Sequence, residues 1–155
     1  MFIITQANRD DAASILALQK RAYESEARLY NDGNIPPLLQ GLDSLIDEIN
    51  KTTVLKSTDR GQIVGSVRSY MNDCVCMIGR LIVEPEYRKR GIGTALLQAI
   101  EKASPQAAQF DLFTGSRSQD NIRLYLRHGY EITHTKQLSD KLTLVYMTKR
   151  VMPIT

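Results

Sequence analysis

No tryptophan occurs among the 155 residues, and only two cysteines and two histidines do. Cys74 and Cys76 are alternate residues of a β-favourable run, so their side chains share one face, where a disulfide between them would be strained. Two cysteines make no secreted framework either, and they read as small apolar strand residues. His128 and His134 stand apart from them, no zinc-ligand spacing appears, and no metal is expected. Long apolar runs are missing too. The longest fall far short of the roughly 20 residues that cross a bilayer, so no membrane association is expected. Met1 to Asn8 lacks the basic-then-apolar layout of a secretory leader, which sets the expectation of a cytoplasmic protein. Charge of one sign is also lacking. With 20 basic against 17 acidic residues the net charge is +3, too little to argue for a nucleic-acid partner. Repeats and low-complexity segments are absent.

What is present is ordinary globular composition, 43% apolar and 24% charged, which excludes disorder as the default. The length fits a single domain over residues 1–155 that buries roughly 70% of its unfolded surface. Phe2-Ile3-Ile4 reads as a short strand. Asn8 is an N-cap, with Asp10 and Asp11 in the first turn of a helix expected over residues 9–22, where Ile15, Leu16, Leu18 and Ala22 recur at helical spacing. Tyr23 to Pro37 reads as irregular, on Asn31-Asp32-Gly33 and Pro36-Pro37. Leu38, Leu42, Leu45, Ile46 and Ile49 restore a helical period. Three strands follow as an antiparallel meander, over residues 52–57, 62–71 and 74–83, with turns at Asp59-Arg60-Gly61 and Asn72-Asp73. A helix is expected over 91–103, a strand over 110–114, a helix over 120–127 stopped by Gly129, and strands over 130–135 and 142–148. The order β-α-α-β-β-β-α-β-α-β-β, hairpins first and strand–helix–strand alternation after, argues an α+β fold with a mixed sheet.

The most informative segment runs from Leu81-Ile82-Val83 through Pro85 and Tyr87-Arg88-Lys89-Arg90 to Gly91-Ile92-Gly93-Thr94, at a strand-to-helix junction. Glycines let a ligand approach the backbone closely. The first N–H groups of the helix lack internal partners and carry the positive end of its dipole, so a pyrophosphate fits there. Arg88, Lys89 and Arg90 add charge, and Thr94 offers a hydroxyl. The string is not a P-loop. It is not a dinucleotide fingerprint either, since Leu96 stands where a third glycine would be required.

Val83-x-Pro85-x-x-Arg88-x-x-Gly91-x-Gly93 resembles the acetyl-CoA signature of the GNAT family of N-acetyltransferases. A second segment, ending in Leu124-Tyr125 and Gly129-Tyr130, resembles that family's later motif. The resemblance implies a mixed, mostly antiparallel twisted sheet flanked by helices, acetyl-CoA as donor, and an amine on a small molecule or peptide as acceptor. It implies that backbone amides from Arg88 to Thr94 hold the pyrophosphate. It also implies that Leu81, Ile82 and Val83 splay from the neighbouring strand and pair with the pantetheine arm. Tyr125 is then the general acid that gives the leaving thiolate its proton.

Two departures leave matters open. Ser118 stands where many members place an asparagine that bonds the pantetheine, and Asn121, one helical turn before Tyr125, is the alternative. Met77 stands eleven residues before Arg88, where certain members carry a glutamate base. Glu24 and Glu26 are therefore the candidate bases. Arg80 reads either as a partly exposed strand residue or as a grip on an acidic substrate group. Tyr23, Tyr30, Glu24 and Glu26 lean instead toward a cationic acceptor. The alternative function is a non-catalytic acetyl-CoA sensor on the same fold. The last two strands offer an edge on which a homodimer would pair.

Overall fold

Asn8 launches the first helix with a reciprocal cap: its side chain accepts from the Asp10 N–H, and the Asp11 carboxylate accepts the Asn8 N–H, both at 2.9 Å. The computed structural model describes residues 1–151, and the last four residues of the expected domain lie outside the described residues. After a 3-10 turn, α1 runs over Ala12–Leu29 and buries Ala12, Ile15, Leu18, Gln19 and Ala22. The expected end at residue 22 is thus corrected, because two further turns continue past the core. They stop where Asn31 takes a left-handed conformation (φ 50°) and the Asp32 N–H reaches back to the Ala27 carbonyl. Pro36-Pro37, read as irregular, opens a one-turn helix, α2 (Pro36–Leu39). Proline suits first helical positions, whose N–H groups have no partner anyway. α3 spans Leu42–Lys51.

The sheet has seven strands in the order β1-β2-β3-β4-β5-β7-β6. They are β1 (Ile3–Gln6), β2 (Thr53–Asp59), β3 (Gln62–Asn72), β4 (Val75–Val83), β5 (Gln109–Gly115), β6 (Glu131–Gln137) and β7 (Thr143–Arg150). All neighbours pair antiparallel except β4 and β5. The α+β class and the mixed, mostly antiparallel sheet are as the sequence led one to expect. Helix α4 (Ile92–Lys102) lays Ile92, Leu96, Leu97 and Ile100 on one sheet face, against Val64, Val67, Cys76 and Ile78. Each such buried aliphatic side chain contributes about 1.5–3 kcal/mol. Gly65 makes this approach close: a Cβ there would stand 2.9 Å from Leu96 Cδ1. α1 and α3 cover the other face, with Ile15, Leu45, Ile49 and Val54 between them. α5 (Gln119–Arg127) follows β5. β6 is the outer edge and is exposed along its whole length, so the surface expected to pair with a second copy is open.

One irregularity shapes everything that follows. Ser66 faces Ile82 and Arg68 faces Gly79, so Val67 alone is opposed by both Arg80 and Leu81. Arg80 takes φ 52°. This is a β-bulge, and it shifts the alternation of β4 by one residue. Before it, Cys76 and Ile78 belong to the α4-side core. After it, Leu81 and Val83 pack on that core while Ile82 packs with Leu18 and Ala22 of α1. The parallel pairing of β4 with β5 runs only from Val75–Gln109 to Met77–Asp111. Bulges bend their strand, and from here β4 and β5 part, leaving facing edges unpaired.

Candidate active site

The parted end of β4 forms one wall of a cleft of about 870 Å³, lined by Leu81, Ile82, Val83, Arg88, Lys89, Gly91, Gly93, Thr94, Ser118 and Asn121 among others. The splay expected of Leu81 to Val83 is present: their ladder runs to β3 on one side only. An unpaired strand edge inside a cleft is a template for another extended, hydrogen-bonding chain. At its end Gly91 sits at the N-cap of α4 in the left-handed region, φ 85°. The first helical bond is made by Ala95 to Gly91, so the N–H groups of Ile92, Gly93 and Thr94 face the cleft mouth with no partner among the described residues. A Cβ on Gly93 would meet Leu124 only at 3.6 Å, an ordinary contact, whereas any side chain at Gly91 is strained by its φ.

The loop is held from three sides. Glu84 accepts a two-pronged bond from Arg21 of α1 (3.0 and 2.7 Å). Tyr87 donates to Asp59 at 3.1 Å. Arg88 reaches the Ala22 carbonyl and the Ser25 hydroxyl at 3.3 and 3.4 Å. Arg90 differs from expectation. Its guanidinium lies over the Tyr87 ring, 4.9 Å from the centroid, and it is not among the residues lining the cleft. The cleft takes its further positive charge from Arg117, Arg123 and Arg127 instead, which the sequence reading passed over. Arg123 and Arg127 lie one turn apart on α5, a spacing that marks a shared face.

Ser118 and Asn121, the open pair, go to different partners. Ser118 begins α5 but does not cap it. Its hydroxyl donates to Glu26 at 2.6 Å and lies 3.1 Å from that of Tyr30. Asn121 donates to Thr114 at a long 3.4 Å and remains at the cleft surface. Tyr30 is 3% exposed and also accepts the Arg117 N–H at 2.8 Å. It is a structural post under the loop before α5, with no free aromatic face for a cation. Glu26 and Glu24 separate as well. Glu26 lines the cleft, while Glu24 is exposed and outside it.

Tyr125 is 5% exposed, its ring 5.9 Å from that of Tyr130. Burial pushes its phenol above the usual tyrosine range, helped by the neighbouring Tyr23 and Glu26. It therefore holds its proton through neutral pH, the state an acid needs. Tyr23 is also pushed up by burial, against the pull of the Arg80 guanidinium beside it. Opposite Met77, at the last rung before the strands part, stands Asp111, a carboxylate the sequence reading missed. One of its oxygens is occupied by the Gln109 amide and the Thr148 hydroxyl, both at 2.8 Å.

Residues 50–132 match the acetyltransferase (GNAT) domain family. The chain belongs to the GNAT family. It is 26% identical over 133 residues to UPF0157 protein YqkA of Bacillus subtilis, covering 86% of this chain and 38% of that protein. The chain therefore spans well under half the length of that relative. It is 25% identical over 124 residues to the uncharacterised N-acetyltransferase YjcF of the same organism, covering 79% of this chain and 84% of that one. Among solved structures, YncA of Salmonella typhimurium, a putative acetyltransferase with its cofactor acetyl-CoA, superimposes with TM-score 0.80 at 16% identity over 100% of this chain and 96% of that one.

Proposed function

We propose that this domain transfers the acetyl group of acetyl-CoA to a primary amine of a small molecule or peptide, by direct attack in a ternary complex. The observation that carries the reading is the parting of β4 from β5, which opens a strand edge leading to the unpaired N–H groups of α4. Acetyl-CoA supplies the activated acyl group as a thioester. The N–H groups of Ile92, Gly93 and Thr94 and the charges of Arg88 and Lys89 hold its pyrophosphate. Leu81, Ile82 and Val83 offer backbone donors and acceptors to the pantetheine arm, and Asn121 offers its amide. Tyr125, buried behind the cleft lining, carries the proton that the leaving thiolate takes up, and Glu26, which lines the cleft within electrostatic reach of Tyr125, accepts the proton from the attacking amine. Ser118 positions Glu26 and does not face the cofactor as its first partner.

The test is acetyl-CoA turnover, read as free thiol, across polyamines, amino acids, aminoglycosides and lysine peptides. Acetylation of any one establishes catalysis. Tight acetyl-CoA binding by calorimetry with no turnover in the whole panel supports a sensor instead. No calorimetric binding removes both readings.

A further inference from the structure

The α1-side face of the parted strands carries a group of charges that the transfer reaction above does not use. Arg68, on β3, is 4% exposed. It donates to Glu48 of α3 at 2.9 Å, to Gln40 at 3.2 Å and to Gln19 of α1. Its Nε–H is buried with no acceptor among the described residues. Arg80 comes to the same face because the bulge shifts β4 by one residue, putting Arg80 and Ile82 toward α1. Without the bulge Arg80 would follow Cys76 and Ile78 into the apolar core under α4. Arg80 is half-buried and has no carboxylate within ion-pair distance among the described residues.

Two guanidinium groups thus lie on adjacent strands, Arg80 next to the Gly79 that faces Arg68, and the one carboxylate at hand, Glu48, pairs with Arg68 alone. Burial lowers the proton affinity of Arg68, against the pull of Glu48, and the repulsion of Arg80 adds a smaller push the same way. Such a pair is relieved by one more anion, and a planar guanidinium takes a carboxylate by two parallel bonds. The position matters as much as the charge. Arg80 lies just past the last β4–β5 rung, and Tyr23 is within electrostatic reach of both Arg80 and Glu26. Around Tyr23 the site therefore has a positive end at Arg80 and a negative end at Glu26, the latter next to Tyr125.

We propose that Arg80, backed by Arg68, selects acceptors that carry a carboxylate beside the amine, an amino-acid-type substrate gripped by its carboxylate at Arg80 with its amine toward Glu26. The inference rests on the acetyl-transfer reading and names the acceptor class of that same site. Arg80 is not itself among the residues lining the cleft and lies beside Tyr23, which is, so the carboxylate reaches it past that ring. The proposal displaces the cationic acceptor toward which the sequence leaned, since Tyr30 is buried and Glu24, though exposed, lies outside the cleft.

The experiment compares amino acids with their own carboxamides, as acceptors for the wild type and for Arg80→Gln and Arg80→Lys. The wild type is expected to prefer the acid at least ~10-fold in kcat/KM. Arg80→Gln should raise KM for the acid roughly 10–100-fold, the loss of one charge-assisted grip, with kcat and the carboxamide kinetics kept within about threefold. Arg80→Lys should restore part of the preference. Equal use of acid and carboxamide by the wild type, preference for a polyamine, or equal damage to both substrates in Arg80→Gln would overturn the proposal. A second arm needs no turnover: N-acetyl amino acids and their carboxamides are titrated calorimetrically into the protein saturated with coenzyme A. Binding of the acids that weakens at least ~10-fold in Arg80→Gln supports the anion grip even where no amine is acetylated, an outcome that counts against transfer alone. No difference between acid and carboxamide in this arm sinks the grip.

Discussion

Gly115→Ala is the sharpest test of how the site is built. Gly115 ends β5, and it is not among the glycines with positive φ, so alanine brings no backbone strain there. What it brings is a collision: the new Cβ would stand 2.0 Å from the Tyr30 hydroxyl oxygen and 2.5 Å from the carbon that bears it. Tyr30 is 3% exposed, so the ring has no solvent to swing into without disturbing its neighbours. Overpacking of this kind costs about 1–3 kcal/mol. Displacing the ring also breaks the bonds to the Arg117 N–H and the Ser118 hydroxyl, which adds about 0.5–1.5 kcal/mol each. The expected loss is about 2–6 kcal/mol, read from urea denaturation with the slope checked for constancy. The cause is separable by a double-mutant cycle: in a Tyr30→Leu background the same alanine should cost under about 1 kcal/mol, because the colliding atoms are gone. A Gly115→Ala protein as stable as the wild type, or an equal loss in both backgrounds, would refute the claim that Tyr30 is the post on which Ser118 and Arg117 stand.

Three further outcomes are expected. Tyr125→Phe should lower kcat by ~10²-fold or more with calorimetric acetyl-CoA affinity nearly unchanged, and a fully active variant removes Tyr125 as the acid. Glu26→Gln should displace the acid limb of the pH–rate profile while Glu24→Gln leaves it in place, and the reverse pattern would show that the wrong carboxylate was chosen. Tyr125 and Tyr130 are both pushed above the ordinary value of 10.0, by burial first and, for Tyr130, by its bond to Glu101. Below pH ~10 folded and unfolded chains both hold these protons and the stabilisation is fully present. Above it only the unfolded chain ionises, so stability should fall by about 1.4 kcal/mol per pH unit for each phenol. Tyr130→Phe should shallow that slope, and an unchanged slope in urea midpoints between pH 8 and 11 counts against the assignment.

The half of the site proposed to grip the donor was legible because it is written locally. Gly91, Gly93 and the basic residues before them fall within one strand-to-helix junction, and spacing alone brings them together. Tyr125 was legible through its spacing to Gly129-Tyr130. The end of α1 was not, for a physical reason. Apolar periodicity marks a helix only while it lies on the core, and beyond Ala22 the residues that matter, Tyr23 and Glu26 of α1 and Tyr30 just after it, face a cleft or a loop. The bulge left a trace that went unread: apolar alternation at Cys76 and Ile78 resumes at Leu81 and Val83, out of phase by one across Gly79-Arg80. Arg90 was misplaced because charge in a sequence says nothing about which way a side chain turns, and the Tyr87 ring offered it a nearer partner.

The acceptor side could not be assembled from spacing at all, since Gln19, Gln40, Glu48, Arg68 and Arg80 come from α1, the turn after α2, α3, β3 and β4 and meet only when the sheet has folded. Strand β4 joins the two halves. On the proposed reading its free edge, made of backbone, faces the donor, so substitutions of side chains there leave the donor's main-chain partners in place. On the same reading the side chains it turns toward α1 face the acceptor, so the same substitutions act on specificity. A single inserted residue sets both functions: the bulge bends the edge away from β5 and at the same position turns Arg80 to the α1 face. It follows that deleting the bulge residue should damage donor and acceptor binding together, whereas Arg80→Gln, which keeps the extra residue and removes only its charge, should separate them.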